Sequence, residues 1–148
     1  MDRKKVGLAL GGGAARGLAH IGVLEVLEKE GIPIDMIAGT SMGAIVGAIY
    51  SKVRDVKSMR KLAIAFGSHK VRYFSDFTVP RTGLIKGRRI ENELRSAIGV
   101  DTNFNDLSIP FACVAVDIDN GEEVVINDGT VWEAVRASAS VPVVFSVP

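Results

Sequence analysis

The chain has 148 residues, of which 47% are apolar and 24% charged, and its net charge is +1. That is the length of a single domain, too apolar for a disordered or collagen-like polymer and too evenly charged for a dedicated nucleic-acid binder. The one cysteine, Cys113, excludes an intrachain disulfide framework and a zinc site made of thiolates.

Residues 5–10 form a short apolar run that reads as a buried strand. From Gly17 the period becomes helical, with Leu18, Ile21, Leu24 and Leu27 on one face and Glu25, Glu28 and Lys29 off it. Gly31 and then Pro33 end that helix in the expected order. Residues 34–38 read as a second strand, and 42–50, apolar on every side, as a buried helix. Residues 55–66 are amphipathic and helical, 70–87 a surface segment, and 88–98 a further helix. A strand over 110–118 turns at Asn120-Gly121 into a second strand over 122–127. A helix over 130–139 follows. Cys113, inside the apolar run 111–116, reads as a buried, unreactive thiol. Strands alternating with helices, then a hairpin, predict an α/β domain spanning 1–148, with a mostly parallel sheet and one antiparallel addition.

Localisation follows from what is missing. The basic start is followed by an apolar run of only 6–10, too short for a secretory signal. The longest uncharged stretch, 36–51, is shorter than a membrane-spanning helix and interrupted by Gly39, Gly43 and Gly47. The expected location is cytoplasmic, with peripheral contact at a membrane as an added option. That option rests on charge: residues 52–95 carry twelve Lys or Arg against four Asp or Glu, whereas 101–128 carry seven acids and no base. A basic stretch of this kind suits an anionic lipid surface, or is simply a solvated face.

Two glycine clusters carry the chemistry. Gly39-Thr40-Ser41-Met42-Gly43 fits the G-x-S-x-G nucleophile elbow. The elbow needs a turn so sharp that the serine backbone is strained, with small flanking residues where other backbone passes close. A predicted strand precedes this pentad and a predicted buried helix follows it. Ser41 then stands at a helix start, where amides and the dipole favour developing negative charge. The second cluster, Gly11-Gly12-Gly13-Ala14-Ala15-Arg16-Gly17, also joins a strand to a helix and exposes backbone N–H groups. It does not fit a dinucleotide loop, because Arg16 takes the third glycine's place and Asp35 opens the second strand instead of closing it. It lacks the G-K-[ST] of a nucleoside triphosphate loop. An oxyanion hole requires only amides near the nucleophile, and loops after adjacent parallel strands share one sheet edge. Arg16 either braces this loop, binds an anionic headgroup, or makes an ordinary surface ion pair.

The run G-G-G-A-A-R-G with L-A-H-I-G-V-L, then G-T-S-M-G, resembles the patatin-like phospholipase family in its small bacterial form. P-F-A-C-V-A-V-D-I-D-N-G and the closing A-V-R-A-S-A-S-V-P-V-V-F-S-V-P extend the resemblance over nearly the whole chain. It implies a three-layer α/β/α fold and hydrolysis of lipid or fatty-acyl esters by a Ser-Asp dyad, without metal or cofactor. Carried over, Ser41 is the nucleophile, Gly11, Gly12 and Gly13 form the oxyanion hole, and Arg16, Gly17, Gly39 and Gly43 support the motifs. The family's aspartate lies in a D-G-G or D-G-A motif beyond the segment that here ends at Pro148, so a truncated, weakly active chain is expected, with a natural variant that has lost the base as the alternative. Asp128-Gly129 precedes the 134–142 segment and reads as a turn, while Asp117 and Asp119 match the family's strand motif. His20 and His69 are formally available as bases, but the dyad gives His20 no proton-transfer role. Trp132 reads as core or groove lining. The alternative is a non-catalytic lipid- or protein-binding module that keeps the fold; an acyltransferase and a nucleotide binder stand behind it. Truncation would leave a sheet edge open to a second copy of the chain.

Overall fold

A computed structural model of the chain describes residues 3–60, Ala63 and 83–140. Four strands form one sheet in the order β1 (Gly7–Leu10), β2 (Met36–Thr40), β3 (Phe111–Val116) and β4 (Glu123–Ile126). The first three are parallel, and β4 is antiparallel to β3. The helices are α1 (Ala19–Lys29), α2 (Met42–Val53), α3 (Gly83–Ile98) and α4 (Val131–Ala139), with a helical stretch at 56–60. This is the expected mostly parallel α/β architecture with one antiparallel addition.

The strands are short, and their register follows from side-chain alternation. Leu10, Ile37, Phe111 and Cys113 point to one face and are buried. Helix α2 covers that face: a Cβ built on Gly47 would stand 3.0 Å from both Ile37 and Phe111. Helix α4 packs on β3 beside α2. Burial of nine of the twelve α2 residues matches its apolar sequence. Burial also pushes the Cys113 thiol up to about 11, in keeping with an unreactive core cysteine. The opposite face carries Met36, Val116 and Val125, which are 47%, 62% and 57% exposed.

Local signals explain where the elements end. At the end of α1, Gly31 takes φ +64, its N–H donates to Glu28 O, and the Ile32 N–H donates to Leu27 O. These two bonds are a Schellman cap, which favours glycine at the left-handed position. Gly121 (φ +77) closes the β3–β4 turn, with Asp117 N–H donating to Glu122 O and Asp117 Oδ1 accepting from Asp119 N–H. Both aspartates therefore serve the turn. Gly129 (φ +82) lies in a bend, as its sequence suggested. Trp132 is core: its indole N–H donates to Val100 O and the Arg95 guanidinium stacks 4.2 Å over the ring.

Several boundaries differ from expectation. The first helix begins as a 3₁₀ turn at Ala14–Leu18 before becoming α-helical. The second strand runs on to Thr40, so it reaches the elbow directly. Helix α3 starts at Gly83, inside the segment read as surface. The mixed composition of 70–87, with Pro80, read as surface, yet the helix takes in Gly87, since an interior glycine costs only about 1 kcal/mol. The rest of 70–87, His69, most of 55–66 beyond the 56–60 turn, and the V-P-V-V-F-S-V-P end lie outside the described residues. Asp35 closes no nucleotide site. Its carboxylate accepts from Arg3 and from the Val6 N–H, which together hold it down at about 2.

Candidate active site

Strand β2 runs without a loop into α2, and Ser41 is the residue between them. Its backbone has φ 54 and ψ −119, a conformation that non-glycine residues adopt at a cost of about 1–3 kcal/mol. The elbow pattern demands this strained geometry, and the surroundings over-determine it. Ser41 O accepts from the Ala44 and Ile45 N–H groups at 3.0 and 3.1 Å, which commits the next residues to α2. The Ser41 N–H donates to Ser138 Oγ at 2.9 Å, and Ser138 Oγ donates to Val114 O at 2.6 Å. Ser138, in the last turns of α4, thus links the elbow to β3.

Small residues are needed here for space. A Cβ on Gly39 would stand 2.6 Å from Ala44 Cα and from Gly43 O. A Cβ on Gly43 would overlap the Leu10 carbonyl and stand 2.6 Å from Gly11 O. On Gly17 it would meet Met42 Cγ at 2.5 Å. The start of α2 is therefore pressed against both the end of β1 and the turn after it.

That contact brings the two glycine motifs together. Gly12 lies beside the nucleophile candidate: its Cβ position is 3.4 Å from Ser41 Cβ and 4.0 Å from Ser41 Oγ. Gly11, Gly12 and Gly13 are exposed and Ser41 is half-buried, so the loop and the hydroxyl share a solvent-accessible rim. Two of the loop's carbonyls are engaged. Gly13 O accepts from the Arg16 N–H at 3.0 Å, and Gly11 O pairs with His20 Nε2 at 2.8 Å. Arg16 thus braces the loop through its backbone, and its side chain is exposed. Among the described residues, no carboxylate or imidazole hydrogen-bonds to Ser41 Oγ, and no three His, Cys, Asp or Glu side chains gather into a metal site.

Every site residue read from the sequence, from Gly11 to Gly43, falls in this one cluster at the carboxyl ends of β1 and β2. Ser138 and the His20–Gly11 bond were not foreseen. Ser138 belongs to the A-S-A-S run noted for its resemblance alone, and nothing in its neighbours announces a partner 97 residues away.

The family model for patatin-like phospholipases matches residues 8–148. Neuropathy target esterase sws of Drosophila persimilis is 36% identical over 138 residues, 91% of this chain and 10% of that protein. The Drosophila melanogaster protein of the same name is 35% identical over an equal stretch. The chain spans about a tenth of the length of these relatives. Among solved structures, ExoU in its heterodimeric complex with SpcU, from the Pseudomonas aeruginosa type III secretion system, superposes with a TM-score of 0.60. That match has 21% identity and covers 95% of this chain and 37% of ExoU. A crystal structure of the type III effector ExoU gives a TM-score of 0.61 at 18% identity, over 93% of this chain and 39% of that one. These structural likenesses concern the fold.

Proposed function

Because this chain belongs to the patatin-like phospholipase family, we propose that it is a serine acyl hydrolase acting on lipid carboxylic esters. The observation that carries this reading is Ser41 itself, held at φ 54 and ψ −119 between a strand and a helix with Gly12 beside it. Ser41 Oγ attacks the ester carbonyl and gives up its proton to a base. The oxyanion is held by the Gly11–Gly13 amides and the positive end of α2. Collapse expels the alcohol, and water then releases the acid and regenerates Ser41. No step calls on a metal or cofactor.

The base in this reading is the aspartate of a D-G-G or D-G-A motif beyond Pro148, which completes a Ser-Asp dyad. A positioned base contributes about 10²–10⁴-fold, so a chain extended through that motif is expected to cleave para-nitrophenyl esters faster than residues 1–148 by a factor in this range. Equal turnover by both lengths would overturn the assignment of the base.

The substrate arrives from a lipid phase. Among the described residues no helix is long and apolar enough to cross a membrane. The reading places the protein in the cytoplasm, peripheral at a lipid surface, with the exposed Arg16 beside an anionic headgroup. One further element of the reading is self-association through β4, which stands at one edge of the sheet among the described residues. Val124 and Val125, on opposite faces of that strand, are 40% and 57% exposed, and an apolar edge strand with no neighbour among the described residues can pair with a second copy. Sedimentation is expected to show a weight-average mass that rises with concentration; a constant monomer mass would remove this element and leave the hydrolase reading intact.

A further inference from the structure

The glycine loop has no side chains to hold it. Gly11 has nothing within 4 Å of its Cβ position, and Gly13 sits at φ +144. Glycine backbones explore more conformations than any other, yet an oxyanion donor works only if its direction is fixed before the charge appears. Something outside the loop must fix it.

We propose that His20 is the positioning residue of the oxyanion loop. The inference rests on the reading of Ser41 and the glycine loop given above. His20 lies in the first turn of α1, and its Nε2 is 2.8 Å from Gly11 O. A carbonyl only accepts, so Nε2 carries the proton and donates. Gly11 C=O and Gly12 N–H belong to the same planar trans peptide and point in opposite directions. Anchoring the carbonyl to His20 therefore sets the direction of the Gly12 N–H. The same carbonyl lies 2.6 Å from the Cβ position of Gly43, so the first turn of α2 bounds it on another side. Gly12 is the loop residue beside Ser41, which makes this peptide plane the one that matters for the oxyanion. His20 touches neither substrate nor nucleophile in this role and moves no proton.

The test compares the full chain with His20→Ala and His20→Gln, whose amide nitrogen can replace the Nε2 donor. Removing one oxyanion donor outright costs about 10²–10³ in kcat, so a misdirected donor in His20→Ala is expected to lose about 10–100-fold in kcat with little change in KM. His20→Gln is expected to recover most of that loss. A His20→Ala enzyme that melts like the parent and keeps kcat within about twofold would overturn the proposal. So would His20→Gln no better than His20→Ala, or a loss confined to KM. Ring-nitrogen NMR of the parent chain reads the bond without any turnover. The expected state has a proton on Nε2, and the Gly12 amide resonance is expected to move in His20→Ala and return in His20→Gln. A tautomer protonated on Nδ1 alone, or an unmoved Gly12 amide, would overturn the proposal. The kinetic comparison is made in the chain extended through the D-G-G or D-G-A motif, and absence of turnover in that parent with the NMR signature present would instead count against the hydrolase reading.

Discussion

Gly43→Ala is expected to destabilise the fold by about 3 kcal/mol or more, at the upper end of overpacking costs, and to abolish labelling of Ser41. The new methyl would occupy the space of the Leu10 carbonyl, with Gly11 O only 2.6 Å away. Neither obstacle is a flexible side chain. Relief requires moving the end of β1, or the start of α2, and either motion pulls the glycine loop off Ser41. Gly22→Ala is the matched control. Gly22 lies within α1, and its Cβ would meet nothing within 4 Å. That substitution is expected to stabilise by about 0.5–1 kcal/mol through helix propensity. Urea unfolding of the two variants beside the parent checks both signs, and a Gly43→Ala protein as stable as the parent would contradict the close packing of the two motifs.

Ser138→Ala is expected to cost about 1–3 kcal/mol, because it leaves the half-buried Ser41 N–H and Val114 C=O without their partner. It should also slow the reaction of Ser41 with a fluorophosphonate, since the Ser41 N–H bond is one of those that hold the strained elbow. Ser140→Ala, two residues on, removes only an exposed hydroxyl that donates to Arg136 O within the same helix end. Its expected effect stays within about 0.5 kcal/mol. Thermal melts and labelling rates of both variants decide the matter; equal behaviour of Ser138→Ala and Ser140→Ala would remove Ser138 from the site.

The pair of serines shows where sequence reading stops. Strands, helices and the hairpin were legible because their signals are local: the period of Leu18, Ile21, Leu24 and Leu27, the Gly31 cap, the Asn120-Gly121 turn. The elbow was legible because its requirements are local too, with a strand, small residues around Ser41 and an apolar helix in unbroken order. From there, parallel pairing of β1 with β2 was enough to put Gly12 near Ser41. Ser138 and Ser140 look alike in sequence, and only the packing of α4 on β3 separates the one that reaches the elbow. The role of His20 was hidden for a related reason. Its partner is a backbone carbonyl, which leaves no complementary side chain to notice. The α3 start was misjudged because residues 83–87 stand in a stretch of mixed composition that also holds Pro80.

The most direct measurement of the central claim is covalent labelling of the chain with a fluorophosphonate, followed by intact mass and peptide mapping, beside Ser41→Ala. The account predicts a single adduct on Ser41, none in Ser41→Ala, and faster formation in a chain extended through the D-G-G or D-G-A motif. An adduct that persists in Ser41→Ala, or no adduct in the extended chain, would contradict it.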